Sequence, residues 1–301
     1  MRKKSIVHWI CCFTLCHTAV LHSNCTEAGD ALSETSAATD AIAKSLIFHA
    51  PFDDSFDARV GKDKKLYTAA SLERKSLVAG NDRPEVILLK DEGKYGGALR
   101  FQDNSEKVTL FQGVNSSYQQ KNWSGTLSFW LKVDPDKGLK PGYCDPIQMT
   151  DKTWNDSSMF VDFDKDLPRT FRLGVFSEYR FWNPKDTAWE QITPEQRPMV
   201  VVQRPPFSSD QWTHIAWTFH NINPENNEKS NAVLYVNGVS QGELNAAMKF
   251  VWKPENAVIM LGIAYIGDFD DFSIFDRALT ADEILTLMNL PQGAAQLKLD
   301  Q

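Results

Sequence analysis

The sequence predicts an all-β protein built as two antiparallel sheets packed face to face, a sandwich or jelly roll. Three observations carry that expectation. Apolar residues alternate with polar ones instead of recurring every three or four positions. The alternating stretches are short and rich in aromatic and β-branched residues. Each is bounded by Gly, Pro, Asn or Asp. Nine stretches fit: "GALRFQ", "EKVTLF", "GTLSFWLKV", "SMFVDFD", "TFRLGVF", "WTHIAWTFH", "AVLYVNG", "AVIMLGIAYIG" and "FDDFSIFD". So many strands with almost no helical periodicity leave few architectures other than a two-sheet β fold.

Taken in chain order, the first segment is a targeting signal. "MRKK" is a basic start and "SIVHWICCFTLCHTAVL" an apolar run of the length expected for a secretory signal, giving a signal peptide over 1–24. The expectation is an exported protein, whether secreted, periplasmic or held at the cell surface. "LHSNC" ends in Cys25, which suggests a lipid anchor there as an alternative to simple cleavage. Three of the five cysteines lie in the signal, so only Cys25 and Cys144 remain and no disulfide framework is expected. Residues 25–44, small and polar, read as a linker. A single domain spans 45–290, and 291–301 reads as a flexible tail.

Within the domain, "LYVNGVSQGEL" is a tight hairpin, with Asn237-Gly238 supplying the positive-φ positions of a type I′ turn. The one helix is "TADEILTLM". Thr280 caps it, Glu283 completes the capping box, and Leu279 with Ile284 forms a hydrophobic staple. The formal charge of −7, with no basic run beyond the first residues, argues against a nucleic-acid surface.

"GKYGGALRF", "LSFWLKV", "QWTHIAWTF", "LYVNGVSQGEL" and "IGDFDDFSIFDRALTADEI" follow one another in this order. Together they resemble the concanavalin A-like jelly rolls of the laminin-G-like type, over roughly 45–290. The resemblance implies two antiparallel sheets closed by the last strand and a short C-terminal helix, a scaffold that binds glycans or proteins, and a structural calcium. In such domains a carboxylate near the first strand and one on the last strand hold the ion. By that resemblance the ligands would be Asp53, with Asp54 and Asp57 nearby, and Asp270, with Asp271 beside it. Calcium takes oxygen ligands only, so carboxylates and carbonyls are the right chemistry. Adjacent strand residues point to opposite faces, so unless a bulge intervenes Asp270 and Asp271 cannot both face the ion, and one of them is expected to be solvated or to pair with Arg277.

Two further groups of residues bear on function. Asp162, Asp164 and Asp166 alternate in "FVDFDKDLP", and neighbouring carboxylates of such a strand lie about 6–7 Å apart, near the separation glycosidases use. A polysaccharide-degrading enzyme using Asp162 and Asp164 is therefore one reading. Glycosidases on this fold carry a glutamate-rich E-x-D-x-E pattern that is absent here, and "DKDLPRT" also reads as a plain turn. His214 and His220 share a strand face but lack a third ligand, and Cys144 has no histidine beside it.

The second group is the long connection 175–206. It carries Tyr179, Trp182 and Trp189 among charged residues, and long aromatic loops on a β scaffold are where binding sites sit. Trp123, Trp130, Trp212 and Trp217 read as core. The expected function is a non-catalytic binding module for a polysaccharide or glycoconjugate, with a surface protein as the alternative partner.

Overall fold

The computed structural model describes residues 37–226 and 228–297. The expected signal at 1–24 and Cys25 lie outside the described residues. Among those described, no helix is long and apolar enough to cross a membrane.

Two eight-stranded antiparallel sheets form the sandwich. The first runs β14 (Val239–Ala246), β13 (Ser230–Val236), β12 (Thr213–Ile222), β7 (Trp123–Lys132), β16 (Gly267–Phe275), β5 (Ala98–Phe101) and β4 (Val86–Leu89). β1 (Leu46–Ala50) joins the same sheet by pairing with β16. The second sheet runs β11 (Met199–Val202), β10 (Phe171–Phe176), β9 (Ser158–Phe163), β8 (Cys144–Thr150), β15 (Val258–Ile263), β6 (Val108–Gln112), β2 (Tyr67–Ala69) and β3 (Leu77–Ala79).

Alternation decides what faces inward. Ile147 and Met149 of β8, Val161 and Phe163 of β9, Phe171 and Leu173 of β10, and Ile259 and Leu261 of β15 are fully buried. They meet Leu127, Phe129, Ile215, Trp217 and Phe269 of the first sheet in one core. Trp123, Trp130 and Trp217 are buried as expected, while Trp212 is half-buried with the Lys132 ammonium 5.0 Å from its ring. The Asn237-Gly238 turn has φ of 49° and 75°, the positive pair that a type I′ turn needs.

The packed body extends beyond 45–290 at both ends. The stretch 38–44, expected as linker, is helical, and its Ile42 and Ala43 are buried. They join the C-terminal helix Ala281–Met288 in a second, smaller core on the outward side of the first sheet. Residues expected as loose tail join it too: Ala294 and Leu297 are buried. The physical reason is that Ala216, Tyr235 and Phe275 point outward from the first sheet and need an apolar cover. The C-terminal helix carries the expected capping box between Thr280 and Glu283, with Leu279 and Ile284 both buried.

Candidate functional site: an aromatic groove on the second sheet

The outward-facing residues of the second sheet are buried by connecting loops instead of by a helix, and Met260 joins Val108, Leu110 and Val258 in a small cluster there. The register places Met260, Gln148, Phe160 and Gly174 side by side across β15, β8, β9 and β10, with Met199 of β11 next to Gly174. Gly174 is what lets the Phe160 ring lie across β10. A Cβ at Gly174 would sit 2.5–2.9 Å from three ring atoms of Phe160. A second row holds Ile263, Asp145, Asp162 and Arg172. These rows floor a cavity of about 500 Å³, within the range of small-molecule sites. Leu72 and Arg74, from the β2–β3 connection, line it on one side. Trp154 of the β8–β9 connection lines it as well, with Trp189 and Glu190 of the long β10–β11 connection, and Tyr143.

The aromatic wall is a stack of edge contacts. Trp154 meets Trp189 at 5.2 Å and Phe176 at 5.4 Å, while Phe160 and Phe176 stack at 5.6 Å. Trp154 remains 40% exposed, as does Tyr143. A half-exposed indole over an apolar floor offers a flat surface to an apolar ring face. Of the three loop aromatics singled out by sequence, only Trp189 lines the groove. Trp182 turns down, donating from Nε1 to the Asn155 carbonyl at 2.8 Å and packing its ring on Phe176. Tyr179 donates its hydroxyl to Asp186 at 2.6 Å. Both hold the loop in place. Trp154, Tyr143, Asp145, Gln148 and Arg74 escaped the sequence reading, since each lies alone in its segment. The lone Trp154 in the polar "DKTWNDSS" was the available signal.

The charged end of the groove centres on Arg172. Its Nε donates to Asp162 Oδ1 at 2.8 Å and Nη2 to Asp162 Oδ2, while Nη1 donates to Asp164 Oδ2 at 2.7 Å. The guanidinium lies 4.9 Å from the Tyr143 ring centre. Asp162 and Asp164 thus share a face, as the alternation predicts, but one arginine holds both; Asp166 lies in the exposed turn that follows. Burial raises Asp162's pKa, Arg172 opposes it, and Asp164 adds a smaller rise. Asp145, half-buried on the neighbouring strand, is pushed well above the carboxylate range, first by desolvation and then by the charge of Asp162. Arg172 forks Asp162 and so opposes the rise there, while Asp145 has no such partner.

The five carboxylates proposed for a metal divide. Asp53 and Asp270 both abut the 93–97 loop. Asp53 Oδ1 accepts from Gly97 N at 3.1 Å, and Asp270 Oδ2 from Tyr95 N at 3.0 Å. A Cβ at Gly93 would lie 2.9 Å from Asp270 Oδ2, and one at Gly96 would run into Asp53, so the glycines are what lets this backbone approach. Burial pushes Asp270 up to about 8, partly offset by the Tyr95 N–H. The two carboxylates face one glycine loop and are the right chemistry for a hard cation such as calcium, but Arg59 Nη2 lies 2.8 Å from Asp53 Oδ2, so an ion there would have to displace that pairing.

The other three carboxylates do not fit. Asp54 is exposed, and Asp57 accepts from Lys65 Nζ and the Leu66 N–H. Asp271 is neither solvated nor paired with Arg277. A backbone bulge and a φ of 50° turn it away, to lie 2.7 Å from His49 Nε2 and accept from Ala294 N at 3.0 Å. Arg277 pairs with Glu283 instead. Among the described residues no group of three or more His, Cys, Asp or Glu gathers as a metal site. His214 is buried against Ser128, and His220 is exposed, so they form no pair.

A family model described as the concanavalin A-like lectin/glucanases superfamily matches residues 102–285, more than half of the chain. The chain belongs to that superfamily. This superfamily member has no match among curated proteins. Among solved structures, the receptor binding domain of botulinum neurotoxin mosaic serotype C/D is 13% identical, with a TM-score of 0.52. That alignment covers 82% of this chain and 51% of the toxin chain. Domain 4 of AbnA, a GH43 extracellular arabinanase from Geobacillus stearothermophilus solved with arabinotriose, is 18% identical over 80% of this chain and 97% of that one, with a TM-score of 0.44. The botulinum neurotoxin serotype D ligand binding domain solved with N-acetylneuraminic acid is 11% identical over 83% and 52%, with a TM-score of 0.49. The superfamily member thus spans about half the length of the toxin chains, and at these identities the likeness concerns the fold.

Proposed function

We propose that the protein is an exported, non-catalytic module that binds a saccharide in the groove on the second sheet. The carrying observation is the wall of partly exposed Trp154 and Trp189 over a floor of Phe160, Met260 and Gln148. An aromatic plane takes the apolar face of a sugar, and flanking amide and carboxyl groups take its hydroxyls. Membership of a superfamily named for lectins and glucanases supports this reading.

The hydrolytic alternative needs Asp162 and Asp164 free to move a proton or attack a sugar. Both carboxylates are committed to Arg172, which favours binding over turnover. Export rests on the basic and apolar character of 1–24, and a lipid anchor at Cys25 on the residues around it. A structural calcium is part of the proposal, with Asp53 and Asp270 as its carboxylates. When bound, it would neutralise Asp270 and fasten the 93–97 loop. No melting shift on chelation, and none on calcium addition, would remove the ion from the account.

The test of the main reading is retention of the full chain on immobilised polysaccharides. Retention lost on Trp154→Ala and Trp189→Ala supports the groove. Retention on a protein partner with none on any glycan would reassign the module to protein interaction.

A further inference from the structure

We infer that the groove takes a carboxylated saccharide, such as a uronate-containing chain, and that the Arg74 guanidinium receives the sugar carboxylate. This rests on the reading of the groove as a saccharide site and narrows its ligand.

Arg74 stands in the β2–β3 connection with φ of 52°, a left-handed backbone that a non-glycine residue adopts only at a cost. That backbone sends the side chain over the groove floor. Nη1 donates to the Leu72 carbonyl at 2.9 Å and lies 3.7 Å from Met260 Sδ, and Nη2 donates to the Lys152 carbonyl at 2.8 Å. The guanidinium therefore touches only neutral groups. No ion pair among the described residues includes it, although burial depresses its pKa and Asp151 supplies only a longer-range attraction. A half-buried cation held by carbonyls, with no counter-ion in contact, is costly unless something else supplies the charge.

The other cations around the groove are already paired. Lys152 pairs with Asp156 at 3.2 Å. Arg172 is taken by Asp162 and Asp164. Asp145 lies at the Arg172 end of the groove, and burial and Asp162 raise its pKa. Glu190 sits exposed beside Trp189, across the sheet from the β2–β3 edge. An acidic group on the ligand is thus disfavoured at the Glu190 side and favoured at Arg74. The Lys152 carbonyl that Arg74 grips is two residues before Trp154, so one short loop carries both the ring surface and the anchor of the cation. A carboxylate is the planar partner that suits a guanidinium fork.

The experiment uses pairs of oligosaccharides identical except for the acid. Fragments of polygalacturonate, polymannuronate and polyglucuronate are compared with their carboxyl-reduced forms by titration calorimetry on the full chain. The expected result is at least one acidic fragment bound tenfold or more tightly than its reduced form. Arg74→Gln should erase that preference, so that the acidic fragment and its reduced form bind this variant with affinities within threefold of each other. Arg74→Lys, which keeps the charge without the fork, should retain part of it and serves if the glutamine variant melts early.

Equal binding of acidic and reduced fragments by the wild type, or a preference that survives Arg74→Gln, overturns the inference and leaves the saccharide reading standing. Equal affinity for a sulfated galactan lacking carboxylates would overturn the carboxylate class. No binding to any fragment, acidic or neutral, overturns the saccharide reading and this inference together.

Discussion

The two sheets obey the same alternation, yet their outward faces have opposite fates. On the first sheet, Ala216, Tyr235 and Phe275 point outward and are closed over by Ile42, Ile284, Leu287 and Leu297. On the second sheet the corresponding positions are Gln148, Phe160, Asp162 and Arg172, which floor a cavity and are themselves buried beneath the loops that line it. A sandwich needs only its inner faces to be apolar. What lies on the outer faces is free to vary, and here one outer face carries a second core and the other the cavity proposed as a saccharide site.

That contrast can be broken first at the covered face. Phe275→Ala removes a fully buried ring from the second core and is expected to cost about 3–5 kcal/mol, read as a shift of the denaturation midpoint. Affinity for a saccharide should be unchanged in whatever fraction stays folded. On the groove side, Arg172→Ala leaves Asp162 buried without its cation and is expected to cost roughly 3–5 kcal/mol. Replacing Asp162 and Arg172 together by a matched apolar pair should recover most of that loss. Gly174→Ala would push Phe160 off β10, with an expected loss of about 1–3 kcal/mol and a weakened groove.

Acid and base should also tell the faces apart. His214, under the cover of the first sheet, is held to about 3 by burial and by the Lys94 charge, against 6.5 for a free histidine. The unfolded chain therefore binds a proton that the folded one refuses. His214 stabilises fully above pH 6.5, and that contribution is lost as pH falls toward 3. Asp145 in the groove has the opposite sign. Its raised pKa makes its contribution fullest below the ordinary carboxylate value, and it is lost as pH rises. Denaturation across pH should show His214→Gln flattening the acid limb and Asp145→Asn flattening the neutral one. An acid limb unchanged by His214→Gln would contradict the buried neutral histidine. The smallest expected effect is Thr280→Ala, about 1 kcal/mol from the lost cap of the C-terminal helix.

The covered face was partly legible in sequence and the groove hardly at all. The strand stretches announce themselves because each alternates over five or more residues, and Thr280 with Glu283 marks a helix start by local chemistry alone. The helix at 38–45 hid because it buries little beyond Ile42 and Ala43, so its composition matches that of a linker. The groove hid for a different reason. Its floor is an across-strand row, Met260 beside Gln148 beside Phe160, and such rows join residues far apart in the chain. Asp162 was visible as an alternating carboxylate, but not its commitment to Arg172, which depends on the β9–β10 register. Trp182 and Trp189 look alike in sequence, and only the fold of the loop turns one inward and the other toward the groove.

The most direct test of the account is affinity for a retained polysaccharide in the Trp154→Ala, Trp189→Ala double variant, with melting temperature measured on the same sample. The groove reading requires binding to fall at least tenfold while the protein remains cooperatively folded. A folded double variant that binds as tightly as the wild type would place the saccharide elsewhere on the molecule and contradict the account.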